Sequence, residues 1–161
     1  MKIYLAARHG RREDMLQMAA MLESHGHHIT SRWIRRPAEA DDADFSNPRT
    51  AECDRIRLGE RLAGDDLADI RACECLIAFT EGPNGGPEAN RGGRHVELGI
   101  AIALGKKVAI VGPRENIFTC LPNVQQYHNL PELRVGNPLM FWTFEGDQPD
   151  GRSPAAKEVA P

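Results

Sequence analysis

The segment GGRHVELGIAIALGKK carries Glu97 about one turn into a helix whose other inward positions are Leu98, Ala101 and Leu104. A carboxylate near a helix N-terminus is favoured in its ionised form, and an ionised carboxylate is a nucleophile at neutral pH. The same position suits a helix-start acid paired with Arg94 or Lys106, so spacing alone leaves both readings open. Gly92 and Gly93 let a ligand approach the backbone where the helix begins. Farther back, GDDLADIRACECLIAF places Asp65, Asp66 and Asp69 before an apolar run, with Asp66 and Asp69 on one helix face. One of them could approach Glu97 across the sheet edge, and two such carboxylates would divide nucleophilic and proton-transfer roles. Exposed helix acids are nevertheless far commoner than catalytic ones.

Other polar groups sort by context. In ARHGRRED, Arg8, Arg11 and Arg12 lie at a strand-to-helix junction, where free amides and the helix dipole favour an anion. Arg8 is the better anion contact, because Arg11 and Arg12 oppose the dipole of their own helix and read equally well as solvated. The loop matches neither GxGxxG nor GxxxxGK[ST], which argues against a dinucleotide or Walker-type site. His25 and His27 straddle a turn at Gly26, and His28 adds no zinc spacing, so no metal is expected. His95 reads as a surface or hydrogen-bonded histidine. Trp33, Phe141, Trp142 and Phe144 read as core or subunit-contact aromatics.

These groups need elements to position them. KIYLA, CLIAFT and KVAIVG are apolar runs that predict buried strands over 2–6, 75–80 and 107–112, and HITSRWI alternates as a strand over 28–34. Met15, Met18, Ala19 and Leu22 recur at helical spacing, so 11–25 is predicted as an amphipathic helix stopped by Gly26. Residues 49–62 are helical by composition, Gly64 weakens or breaks that helix, and Asp65 or Asp66 could cap a continuation through Ala72. A helix is expected over 95–104 and a short strand over 124–128. The acidic stretch 37–48 and the Gly/Pro/Asn-rich stretch 81–93 read as loops. Strands alternating with helices, and apolar throughout, indicate a parallel sheet covered on both faces. Ligands of such sheets bind beyond the carboxyl ends of the strands, which selects the loops over 7–12, 81–93 and 113–118.

At 161 residues the chain is long enough to bury about two thirds of its unfolded surface. It is expected to form one domain over 1–144 with a polar, mobile tail over 145–161. The net charge of −3 argues against a general nucleic-acid or membrane binder. No apolar run suits a secretory signal or a bilayer span, so a cytoplasmic protein is expected, with Cys53, Cys73, Cys75 and Cys120 reduced.

Three segments, IYLAARHGRRED, DDLADIRACECLIAF and GGRHVELGIAIALGKKVAIVG, together resemble the nucleoside 2-deoxyribosyltransferase superfamily, which includes the 2'-deoxynucleoside 5'-phosphate N-hydrolases. The similarity covers roughly residues 2–118. Its most specific motif, ExGxAxAxGK, is met by Glu97, Gly99, Ala101, Ala103, Gly105 and Lys106; Asp66 and Leu67 meet a D–L pair, and Tyr4 stands where the family has a first-strand tyrosine. The resemblance implies a flavodoxin-like, Rossmann-like α/β fold and a homodimer or higher homo-oligomer that cleaves the N-glycosidic bond of a nucleoside or nucleotide. Glu97 would attack C1' to give a covalent glycosyl-enzyme, Asp66 would bind the sugar and handle protons, and Tyr4 would hold Glu97 in line. No metal or organic cofactor is implied.

There are departures. Ala7 and Arg91 stand roughly where the N-hydrolases bind phosphate with small hydroxylated residues, although arginine also binds phosphate. Arg8, Arg91, Gly93, Arg94 and Asn116 are the expected substrate contacts. The polar tail ending at Pro161 does not suit the role that transferases give to a neighbouring subunit's chain end. The leading expectation is therefore a transferase-like enzyme acting on a deoxyribonucleoside or its 5'-monophosphate. A nucleoside 5'-monophosphate hydrolase is the alternative if Arg8, Arg91 and Arg94 converge, and a non-catalytic nucleotide sensor is the alternative of another class.

Overall fold

Strand β1 (Lys2–Ala6) opens the chain, and after Lys2 every one of its side chains is buried. The computed structural model describes residues 1–36, 51–80, 92–129 and 132–133. The expected loop over 37–48, most of the 81–93 loop, Arg91, Phe141, Trp142, Phe144 and the tail lie outside the described residues.

Helix α1 (Arg12–Ser24) buries Met15, Met18, Ala19 and Leu22, the set its spacing predicts. It stops before Gly26, whose φ of 82° is left-handed and suits glycine. Strand β2 (His28–Ile29) is much shorter than HITSRWI suggested. The chain leaves the sheet because Ser31 Oγ takes the amide of Leu5, Asp69 takes the amide of Arg32, and Arg32–Arg35 turn into a 3₁₀ helix. Trp33 is buried there, donating Nε1–H to the Leu5 carbonyl at 2.9 Å.

Helix α2 (Glu52–Ala72) runs through Gly64 without the expected break. One glycine costs a helix interior only about 1 kcal/mol, which the rest of a long helix offsets. Strand β3 (Cys75–Phe79) is wholly buried, α3 (Gly93–Ala103) follows, and then come β4 (Lys107–Val111) and β5 (Val124–Tyr127). Lys106, between α3 and β4, donates from Nζ to the carbonyls of Arg71 and Cys73 at 2.7 and 2.6 Å. A cation thus satisfies the carbonyl end of α2 and ties it to α3.

The sheet is five-stranded and parallel throughout, in the order β2-β1-β3-β4-β5. This is the flavodoxin-like order. The connection from β1 to β2 travels one way along the sheet and those from β2 to β3 and β3 to β4 travel the other. Right-handed crossovers therefore put α1 on one face and α2 and α3 together on the opposite one. Order reverses between β1 and β3, and the crevice beyond their carboxyl ends is where this topology binds ligands.

All four cysteines are free, with Cys73 and Cys75 buried and Cys53 and Cys120 exposed. Among the described residues no helix is long and apolar enough to cross a membrane.

Candidate active site

Tyr4 lies on β1 beside the reversal point and is completely buried. Its hydroxyl donates to Glu97 Oε1 at 2.6 Å, joining groups 93 residues apart in the chain. Glu97 reaches it because it shares the inward side of α3 with Arg94, Leu98 and Ala101, which are buried against the sheet. The ion pair that spacing also allowed is not its principal contact: Lys106 is engaged at the end of α2, and Arg94 bonds elsewhere.

The helix dipole is not the main influence on Glu97. Glu97 is the fifth residue of α3, beyond the first turn where the dipole acts strongly. Loss of water raises its pKa to about 7; the Tyr4 hydrogen bond and the Arg94 charge oppose that rise, while the Asp66 charge adds to it. Burial and the nearby Glu97 and Asp66 charges hold the Tyr4 phenol far above its ordinary range. Tyr4 therefore remains a hydrogen-bond donor at any working pH.

The three aspartates of α2 separate cleanly. Asp69 is buried and accepts from the Arg32 amide at 2.9 Å and Nε at 2.7 Å. Asp65 pairs with Arg36 at 2.7 Å and Arg32 at 3.3 Å. Asp66, with Arg36 3.9 Å away, is the aspartate whose charge bears on both Tyr4 and Glu97.

The predicted binding residues fare differently. Arg8 is half-buried in the loop beyond β1. Nearby, Arg11 lies over the Phe79 ring at 5.5 Å, and Arg12 donates to the Ile34 carbonyl at 3.0 Å, so neither is simply solvated. Gly93 begins α3 exposed, and a Cβ added there or at Gly92 would meet nothing within 4 Å. That holds among the described residues, which do not include the segment leading into Gly92.

Two of the expected contacts have partners within the protein. Arg94 is 6% exposed and donates to the Phe79 carbonyl at 3.1 Å and to Glu115. A guanidinium buried at its own helix start needs acceptors, and these two supply them. Asn116 is also engaged, its Oδ1 accepting from the amides of Phe118 and Thr119 and its Nδ2 meeting His95 Nδ1 at 3.1 Å. It caps the 3₁₀ turn Ile117–Cys120. His95 and Asn116 border a groove of about 380 Å³ with Val96, Leu98, Gly99 and Phe118. Helical spacing sets His95 on the side of α3 opposite Glu97, while Leu98 belongs both to this groove and to the inward side.

Glu115 and Arg36 escaped the sequence reading. Glu115 was accessible in principle, since it lies in a loop at the carboxyl rim and a buried Arg94 needs a counter-charge. Nothing in the sequence marks Arg36 as the neighbour of Asp66.

Comparison with solved structures finds similarity to the structure of Clostridium botulinum CMP N-glycosidase, BcmB, with a TM-score of 0.51 and 19% sequence identity, over 86% of this chain and 99% of that one. At that identity the likeness establishes a shared fold. No family model and no curated protein matches the sequence.

Proposed function

We propose that the protein cleaves the N-glycosidic bond of a nucleoside 5'-monophosphate, with Glu97 as nucleophile. The observation that carries this reading is the 2.6 Å hydrogen bond from Tyr4 to Glu97, with Asp66 close enough to bear on both. A tyrosine that stays protonated fixes one carboxylate oxygen and leaves the other to attack C1'. As the bond from Glu97 to C1' forms, the bond from C1' to the base nitrogen breaks and the base leaves with a proton. Water then attacks C1' and passes its proton to Asp66, replacing the one Asp66 gave to the base, and Glu97 is released, giving net retention. Asp66 holds the sugar and moves these protons. Arg8 and the backbone of the helix start at Gly93 are the phosphate contacts; Arg94 serves the protein instead. The name of the structural neighbour, a CMP N-glycosidase, favours a monophosphate substrate and water as acceptor over the transferase reading. The protein acts in this reading as a homo-oligomer without metal or organic cofactor.

The test is incubation with ribo- and deoxyribonucleosides and their 5'-monophosphates, with and without a second free base, followed by chromatography. Free base released from monophosphates alone is the expected result, and Glu97→Gln should lower that rate on the order of 10³-fold or more. Base exchange would identify a transferase, and binding without turnover a sensor.

A further inference from the structure

Arg94 is unusual in its setting. Its guanidinium sits at the N-terminal end of its own helix, where the dipole opposes a cation, and it is removed from water. An apolar residue of similar size would cover the sheet without the desolvation cost. Arg94 nevertheless joins three pieces of the rim: the first turn of α3, the last residue of β3 through the Phe79 carbonyl, and the loop after β4 through Glu115. Among the described residues its Nε has no hydrogen-bond partner, and the side chain is held by its two terminal nitrogens. One turn along the same side of α3 stands Glu97.

We propose that Arg94 is a positioning residue for Glu97, with Glu115 as its counter-charge: the pair locks α3 to the ends of β3 and β4 and sets the electrostatic potential at the Glu97 carboxyl. This rests on the reading of Glu97 as the nucleophile. The groups around that carboxyl come from every neighbouring element. Tyr4 donates from β1, Asp66 adds negative charge from α2 with Asp69 behind it, and Arg36 stands beside Asp66. Arg94 is the cation on Glu97's own helix, and its charge favours the ionised carboxylate. Glu115, with His95 Nε2 3.8 Å away, divides the influence of Arg94 between itself and Glu97. Removing either member of the pair therefore shifts Glu97 in opposite directions. Without Arg94 the carboxylate loses its cation; without Glu115 it has that cation to itself.

The experiment is a carbon-13 NMR titration of glutamate side-chain carboxyls in the full-length protein, with the Glu97 resonance assigned by its loss in Glu97→Gln. No substrate is needed, so the result stands whether or not the protein proves to be a glycosidase. Arg94→Met should raise the Glu97 midpoint by roughly half a pH unit or more, and Glu115→Gln should lower it. A merely structural role would loosen the site in both variants and let water in, lowering both midpoints together. A shared direction, or no shift in either variant, overturns the proposal. If Arg94→Met does not fold, as judged by circular dichroism, Glu115→Gln decides alone: a lowered midpoint supports the pair, and an unchanged or raised one overturns it. Turnover that disappears in the substrate panel while the opposed shifts are present would instead reject the glycosidase reading.

Discussion

At the scale of single residues, Tyr4 and Glu97 make separable predictions. Tyr4→Phe removes the donor that holds Glu97 and favours its ionised form. Its kcat/KM for monophosphate cleavage is expected to fall about 10- to 100-fold, with the acid limb of the pH profile moved upward. An unchanged profile would separate Tyr4 from the chemistry. Glu97 also leaves a signature in stability. Its carboxyl titrates near 4.5 when unfolded and about 7 when folded, so between those values the fold binds a proton that the unfolded chain releases. The associated stability is complete below the lower value and is lost as pH rises through the higher one. Glu97→Gln should therefore gain on the wild type by about 2 kcal/mol between acid and mildly alkaline pH, a figure reduced from the full shift because Glu97 is only half-buried. Urea unfolding at several pH values checks this, and a constant difference would refute it. The partnership of these residues was legible only through the family resemblance, since nothing local connects positions 4 and 97. The burial of Arg94 was not legible, because its acceptors come from β3 and from the loop after β4, far away in sequence.

Among the elements, KIYLA, CLIAFT and KVAIVG were readable because strands buried on both faces admit little but apolar residues. HITSRWI was not, because Asp69 and the Leu5 amide draw its polar residues out of the sheet, and those partners lie far away in sequence. Two glycines illustrate the same limit. At Gly64 a Cβ would meet nothing within 4 Å, and the helix is continuous. At Gly112, where φ is 119°, a Cβ would come within 2.6 Å of the Thr80 carbonyl oxygen and Oγ1. Gly64→Ala should stabilise by about 0.5–1 kcal/mol, whereas Gly112→Ala should destabilise by about 2–3 kcal/mol. Thermal melts would check the contrast, and melting shifts of the same sign would contradict it.

For the molecule as a whole, strand order governs both robustness and reach. β1, β3 and β4 have neighbours on both sides and almost wholly buried side chains, while the two-residue β2 and β5 form the edges. Their amides should differ in hydrogen exchange: those of β1 and β3 should open only with global unfolding, and those of β2 and β5 through smaller fluctuations. Mass spectrometry of exchanged peptides would show this, and equal protection across the sheet would contradict it.

A parallel sheet also has two unlike rims. Arg94 and Glu115 belong with the carboxyl ends, with Tyr4 midway along β1 reaching Glu97, while Lys2 begins β1 at the other, its amide held by Glu74 at 2.6 Å. Five residues of extended chain put those rims about 17 Å apart. A molecule tethered to a solid support through the amino end of β1 would therefore keep the candidate site on the rim away from its tether.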